Sequence, residues 1–188
     1  MIISPIFYFL LVLTFGLQLY SLKLFKKFLP FILFLFLGIF LIVEIHYIYG
    51  QYLLWESNAL TKYLLPPYQS LNYLFFFTFK RFFGPYIISF FVGLLVFFTI
   101  KILNKRSNYR LFYKEEPLLA FISIFTVSHP GWILYLILIF TTHFLISLLY
   151  YFKKEPVSFR YLWVLGALFV ILISKWLTTF SWWQLSKI

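Results

Sequence analysis

The sequence predicts an all-α fold: a polytopic transmembrane helical bundle of five to six membrane helices, one of them short, in a single integral membrane domain. Three observations carry that expectation. Of the 188 residues, 63% are hydrophobic and 11% charged, against roughly half and a quarter in a soluble domain. The mean hydropathy is +0.94, and a small water-soluble fold exposes too much of its surface to hide so much apolar mass. Apolar runs of about the 20 residues needed for one helical crossing also recur along the whole chain.

The first run, residues 2–22, is long enough to cross. It lacks the basic start and small-residue cleavage site of a signal peptide, so a retained first helix is expected. Lys23, Lys26 and Lys27 follow at once. The second crossing is expected at 29–49, where the stretch FLPFILFLFLGIFLIV is apolar on every face. Such a helix meets lipid or other helices all round.

Between 50 and 84 the pattern breaks at Gly50, Glu56, Asn58, Lys62 and the Pro66-Pro67 pair. An aromatic stretch near 71–83 carries Lys80 and Arg81 and is too short to cross. Aromatic rings mixed with cations suit the head-group boundary, so an interfacial or re-entrant helix is expected there. Gly84-Pro85 then opens a third crossing, 86–103, with proline in a first turn where its missing N–H costs nothing.

A basic loop follows, with Lys101, Lys105, Arg106, Arg110 and Lys114 ahead of Glu115 and Glu116. The positive-inside rule puts this loop and the lysines at 23–27 on the cytoplasmic side of a bacterial plasma membrane, or on the matrix side of an organellar inner membrane. The N-terminus then lies outside.

Pro117 starts an apolar run of about a dozen residues, 117–128, which ends at Ser128-His129-Pro130-Gly131-Trp132. Twelve helical residues cover about 18 Å, against a hydrocarbon core of about 30 Å. The run is either a re-entrant half-helix or a short crossing in a thinned or protein-surrounded zone. An internal echo favours crossing: residues 112–117 (FYKEEP) resemble residues 151–156 (YFKKEP). Both place cations, then an acid and proline, at a helix start, where the acid suits the positive end of the dipole. Full crossings are expected at 132–152 and 161–176, with Trp182-Trp183 and Lys187 as an interfacial anchor.

Composition also removes chemistry. Cysteine is absent, so disulfides, thiolate metal sites and cysteine nucleophiles are excluded. Aspartate is absent too, which excludes aspartyl proteases and Ser-His-Asp triads. The charge of +11 is read as lipid-facing cations at the ends of apolar runs rather than as a nucleic-acid surface. No cofactor and no metal are expected.

Ionisable groups at membrane depth are costly and mark candidate sites. Glu44 is placed to relay a proton, grip a cation or hydrogen-bond a neighbouring helix. His46, two residues on, points about 200° away at 3.6 residues per turn, and suits the interface beside Tyr47 and Tyr49. His143 lies mid-helix, as a metal or haem ligand, a proton carrier or an interhelical hydrogen-bond partner. His129 reads as turn and capping chemistry with Ser128 and Pro130. Lys175 joins Glu44 and His143 as a candidate lining for a polar path. Glu115-Glu116 is the only adjacent acid pair, expected in water. Glutamate-type intramembrane proteases pair such acids with histidines on later helices, but the spacing to His129 and His143 gives no signature.

The order of loop, short apolar helix, Pro-Gly turn, long helix, basic loop and the helix Arg160-Tyr-Leu-Trp-Val-Leu-Gly-Ala167 loosely resembles the C-terminal half of prepilin peptidases, over residues 110–175. That family's Gly-x-Gly-Asp and its second catalytic aspartate are missing, so the resemblance implies a non-catalytic relative. The leading functional expectation is a non-enzymatic accessory or scaffold subunit, partnered by lipid and by other membrane subunits or itself. The alternatives are a small transporter or channel using Glu44 and His143, and a membrane-embedded hydrolase.

Overall fold

The computed structural model describes residues 3–107, 112–150, 160–177 and 179. Among these the chain is helical, with no strand. Lys153, Lys154, Glu155 and the Trp182-Trp183 anchor lie outside the described residues.

Helix α1 (Ile3–Tyr20) and helix α2 (Leu22–Ser57) are separated by Ser21 alone. Ser21 has extended backbone, and its hydroxyl accepts from the Leu24 N–H at 3.4 Å. This N-cap lets one residue end a helix and start the next. The two helices form an antiparallel hairpin, in which Phe7 packs on Phe36 with ring centroids 5.6 Å apart.

α2 is much longer than the 29–49 expected. It starts at the cap and absorbs Pro30, whose missing N–H leaves the Lys26 carbonyl without its helical donor. It continues through Gly50, where a Cβ would meet nothing. It stops at Asn58, whose side-chain oxygen accepts from the Leu60 N–H at 2.9 Å.

A 3-10 turn at Thr61–Leu64 leads to α3 (Leu71–Thr78), a π-helical turn at Phe79–Phe83 and α4 (Gly84–Arg106). These form one uninterrupted helix from Leu71 to Arg106, which corrects the expectation of a separate aromatic helix ending at Gly84-Pro85. The reason is the π turn, in which the Gly84 N–H donates to the Phe79 carbonyl. The widened turn relieves the clash a proline ring makes with the preceding turn. α3 and the π turn lie antiparallel to α2, with Phe40 near Phe83, Tyr47 stacked on Phe82 at 5.2 Å and Trp55 tilted against Phe77 at 5.1 Å.

The short run forms α5 (Glu116–Val127), followed by α6 (Gly131–Tyr150) and α7 (Arg160–Leu177). α5 is the centre of the molecule. Apart from Leu118 every residue in it is buried, against α4 and α7 and, less extensively, α6 and α2. Gly93 on α4 allows the approach, since a Cβ there would come within 3.0 Å of the Phe121 ring. Phe7, Phe40, Tyr86 and Phe125 fill the space between α1, α2, α4 and α5 with edge-on and tilted rings.

At its start α5 is tied to α4 through Asn104, which donates to the Phe112 carbonyl at 2.8 Å and accepts from its N–H at 3.2 Å. Beyond its end the His129 N–H donates to the Pro85 carbonyl at 3.1 Å. The part of α4 between those two residues measures about 28 Å at 1.5 Å per residue.

Three helical segments are long and apolar enough to cross a membrane: Leu22–Ser57, Leu71–Arg106 and Gly131–Leu148. Pro5–Tyr20, Glu116–Val127 and Arg160–Ser174 are shorter apolar helices.

Candidate functional site

Two polar clusters lie at opposite ends of α5. The first surrounds the acid pair. Glu115 precedes α5 and Glu116 begins it, so both carboxylates sit at the positive end of the helix dipole. They were expected in water, and the structure corrects this: Glu115 is 6% exposed and Glu116 is fully buried. Their partners come from distant parts of the chain.

The Glu115 carboxylate lies 2.7 Å from Nη2 of Arg160 and 3.3 Å from Nζ of Lys26. The Arg160 guanidinium also stands over the Tyr113 ring, 3.9 Å from its centroid. Its main-chain carbonyl accepts from Nε2 of Gln18 at 3.0 Å. Glu116 accepts from the indole N–H of Trp163 at 3.4 Å. The cluster therefore joins α1, α2, α5 and α7. Breaking a buried pair of this kind strands a charge at a cost of about 3–5 kcal/mol, so these groups are set up to lock helices together.

The second cluster gathers around Tyr86. Glu44 is fully buried, neither carboxylate oxygen has a hydrogen-bond partner among the described residues, and it lies near Tyr86, whose hydroxyl meets the Ser128 side chain. Ser128 holds φ 58° and ψ 171°, a region nearly reserved for glycine and worth about 1–3 kcal/mol of strain. The turn is closed by Trp132, whose N–H donates to the Ser128 carbonyl at 3.0 Å and whose indole donates to Nδ1 of His129 at 3.2 Å.

The other candidates disperse. His46 is exposed, on the side of α2 away from Glu44, as a spacing of two residues requires. His143 is half-buried and shares a 3.1 Å hydrogen bond with Ser147 one turn on. Lys175 belongs to α7, but its side chain lies outside the described residues.

Glu116 and His129 stand about 20 Å apart along α5 at 1.5 Å per residue, so the acids and that histidine do not converge. Glu44 and the Ser128–His129 turn do share a neighbourhood through Pro85 and Tyr86. Among the described residues no group of three histidines and acids is placed to hold a metal ion.

Sequence reading passed over Gln18, Lys26, Arg160 and Trp163 as site residues. Gln18 carried a usable signal, being an amide inside an apolar run that needs a partner at depth. Arg160 carried another, as a guanidinium at the head of an apolar helix. The helix, Pro-Gly turn and helix likened to prepilin peptidases exist as α5, 128–131 and α6. Set against models of protein families, curated proteins and solved structures, the chain matches none of them.

Proposed function

We propose that this chain is an integral membrane protein that crosses the bilayer six times and acts as a non-enzymatic accessory or scaffold subunit. In this reading α1, α2, the joined α3–α4 helix, α5, α6 and α7 are the crossings. α5 spans although short, because other helices surround it and its polar ends meet protein rather than lipid. The basic ends of α2 and α4 face the cytoplasm or matrix, and the N-terminus lies outside.

The observation that carries the non-enzymatic reading is the Glu115–Arg160 ion pair at 2.7 Å. The acid pair, which a hydrolase would need free for general acid-base work, instead joins helices, while His129 is held by Trp132 at the far end of α5. Many large rings remain on the outer surface, among them Phe75, Phe76 and Phe79 on the α3 side. They suit lipid or partner helices.

A gentle-detergent pull-down with blue-native electrophoresis at native expression tests the reading. Co-migration with other membrane subunits, or as an oligomer, is expected; a lone monomer refutes it.

Glu44 favours a second reading, as a small transporter moving protons or a cation. A fully buried carboxylate without hydrogen bonds among the described residues, near a strained turn, is costly to keep without a use. Unchanged flux in proteoliposomes after Glu44→Gln would refute it.

A further inference from the structure

At the basic end of the molecule an open groove of about 390 Å³ runs between α2, α4 and the start of α5. Lys26, Lys101 and Lys114 line it, together with Leu29, Phe97 and Leu118. Its one acid, Glu115, is held by Arg160 at 2.7 Å and also reaches Lys26 at 3.3 Å. Lys101 and Lys114 are exposed and have no carboxylate within ion-pair distance among the described residues.

The arrangement is layered. Each lysine has an apolar neighbour about one turn deeper on its own segment: Leu29 below Lys26, Phe97 below Lys101, Leu118 below Lys114. α4 runs towards this end while α2 and α5 run away from it, so the three apolar residues share the deeper level. Lys101 lies over the Phe97 ring, 4.4 Å from its centroid, which fixes one ammonium above one apolar wall. The result is a ring of positive charge above a ring of hydrocarbon, at the depth where two long apolar helices reach their basic ends.

We infer that this groove binds an anionic glycerophospholipid, with its phosphate among Lys26, Lys101 and Lys114 and its acyl chains against Leu29, Phe97 and Leu118. A soluble anion would use the cations alone. A zwitterionic lipid would use the apolar wall but bring its own cation. Basic grooves between membrane helices on the cytoplasmic side are the usual seat of anionic head groups.

The inference rests on the membrane-spanning reading and not on the accessory role. A chain that stays folded in water without detergent fails that reading before any lipid is added.

The test uses the full chain in mild detergent, titrated with phosphatidylglycerol or phosphatidylcholine of identical acyl chains and followed by native mass spectrometry. Phosphatidylglycerol is expected to bind more tightly, and K101Q/K114Q to weaken it about 25-fold, at about fivefold per lysine. K23Q/K27Q removes the same charge from the same end but outside the groove, and is expected to change binding less than about twofold. Equal losses in the two double variants would overturn the inference in favour of diffuse attraction. Equal binding of the two lipids would overturn it outright. Full displacement of phosphatidylglycerol by inorganic phosphate would overturn it in favour of a soluble anion.

Discussion

Glu115→Ala removes the carboxylate that holds α7 to α5, and its cost follows from what stays behind. The Arg160 side chain is 10% exposed and that of Glu115 4% exposed, so the change leaves a guanidinium largely shut away from water. Breaking such a pair costs about 3–5 kcal/mol. Lys26 adds little, because its side chain is 48% exposed and a surface pair is worth about 0–1 kcal/mol.

The expected loss is therefore about 3–5 kcal/mol, while Lys26→Ala is expected to lose less than about 1 kcal/mol. Denaturant titration of the purified chain in mixed micelles, followed by tryptophan fluorescence, measures both. Replacing the pair together, Glu115→Met with Arg160→Met, is expected to recover most of the loss, since a buried pair and an apolar substitute are often close in stability. If Glu115→Ala costs no more than Lys26→Ala, the pair is not a helix lock and the reasoning fails.

Two further changes probe the packing and the second cluster in the same titration. Gly166→Ala puts a Cβ 2.6 Å from Cδ1 of Ile139, so a loss of about 1–3 kcal/mol is expected. Ile139→Val removes that methyl and should restore most of it; no rescue would mean that α6 and α7 do not meet there. Glu44→Leu is expected to stabilise the chain by about 1–3 kcal/mol, because it removes a buried acceptor that lacks a donor. A loss of stability instead would show that the carboxylate has a partner.

Much of the helical layout was legible because apolar run length and the polar breaks between runs are local features of the sequence. The α1–α2 hairpin and the short α5 could be read that way. The break at Gly84-Pro85 could not: proline is a good start signal, yet a π turn let the helix run through it, and nothing local in the sequence encodes that choice. The acid pair was visible as a pair, but its burial was not, because Arg160, Lys26 and Trp163 reach it from other helices. The distance between Glu116 and His129 was computable beforehand, since helical rise alone separates them. The meeting of Glu44 with Tyr86 and Ser128 was not, because it depends on how three helices pack.

The central claim is that α2 crosses a membrane, with the lysines before it and Glu56 near its end on opposite faces. The chain has no cysteine, so Lys27→Cys and Glu56→Cys, both at exposed positions, can each be labelled without background. A membrane-impermeant maleimide applied to sealed vesicles of known orientation should reach Lys27→Cys from the cytoplasmic face only and Glu56→Cys from the opposite face only. Labelling of both from the same face would contradict it.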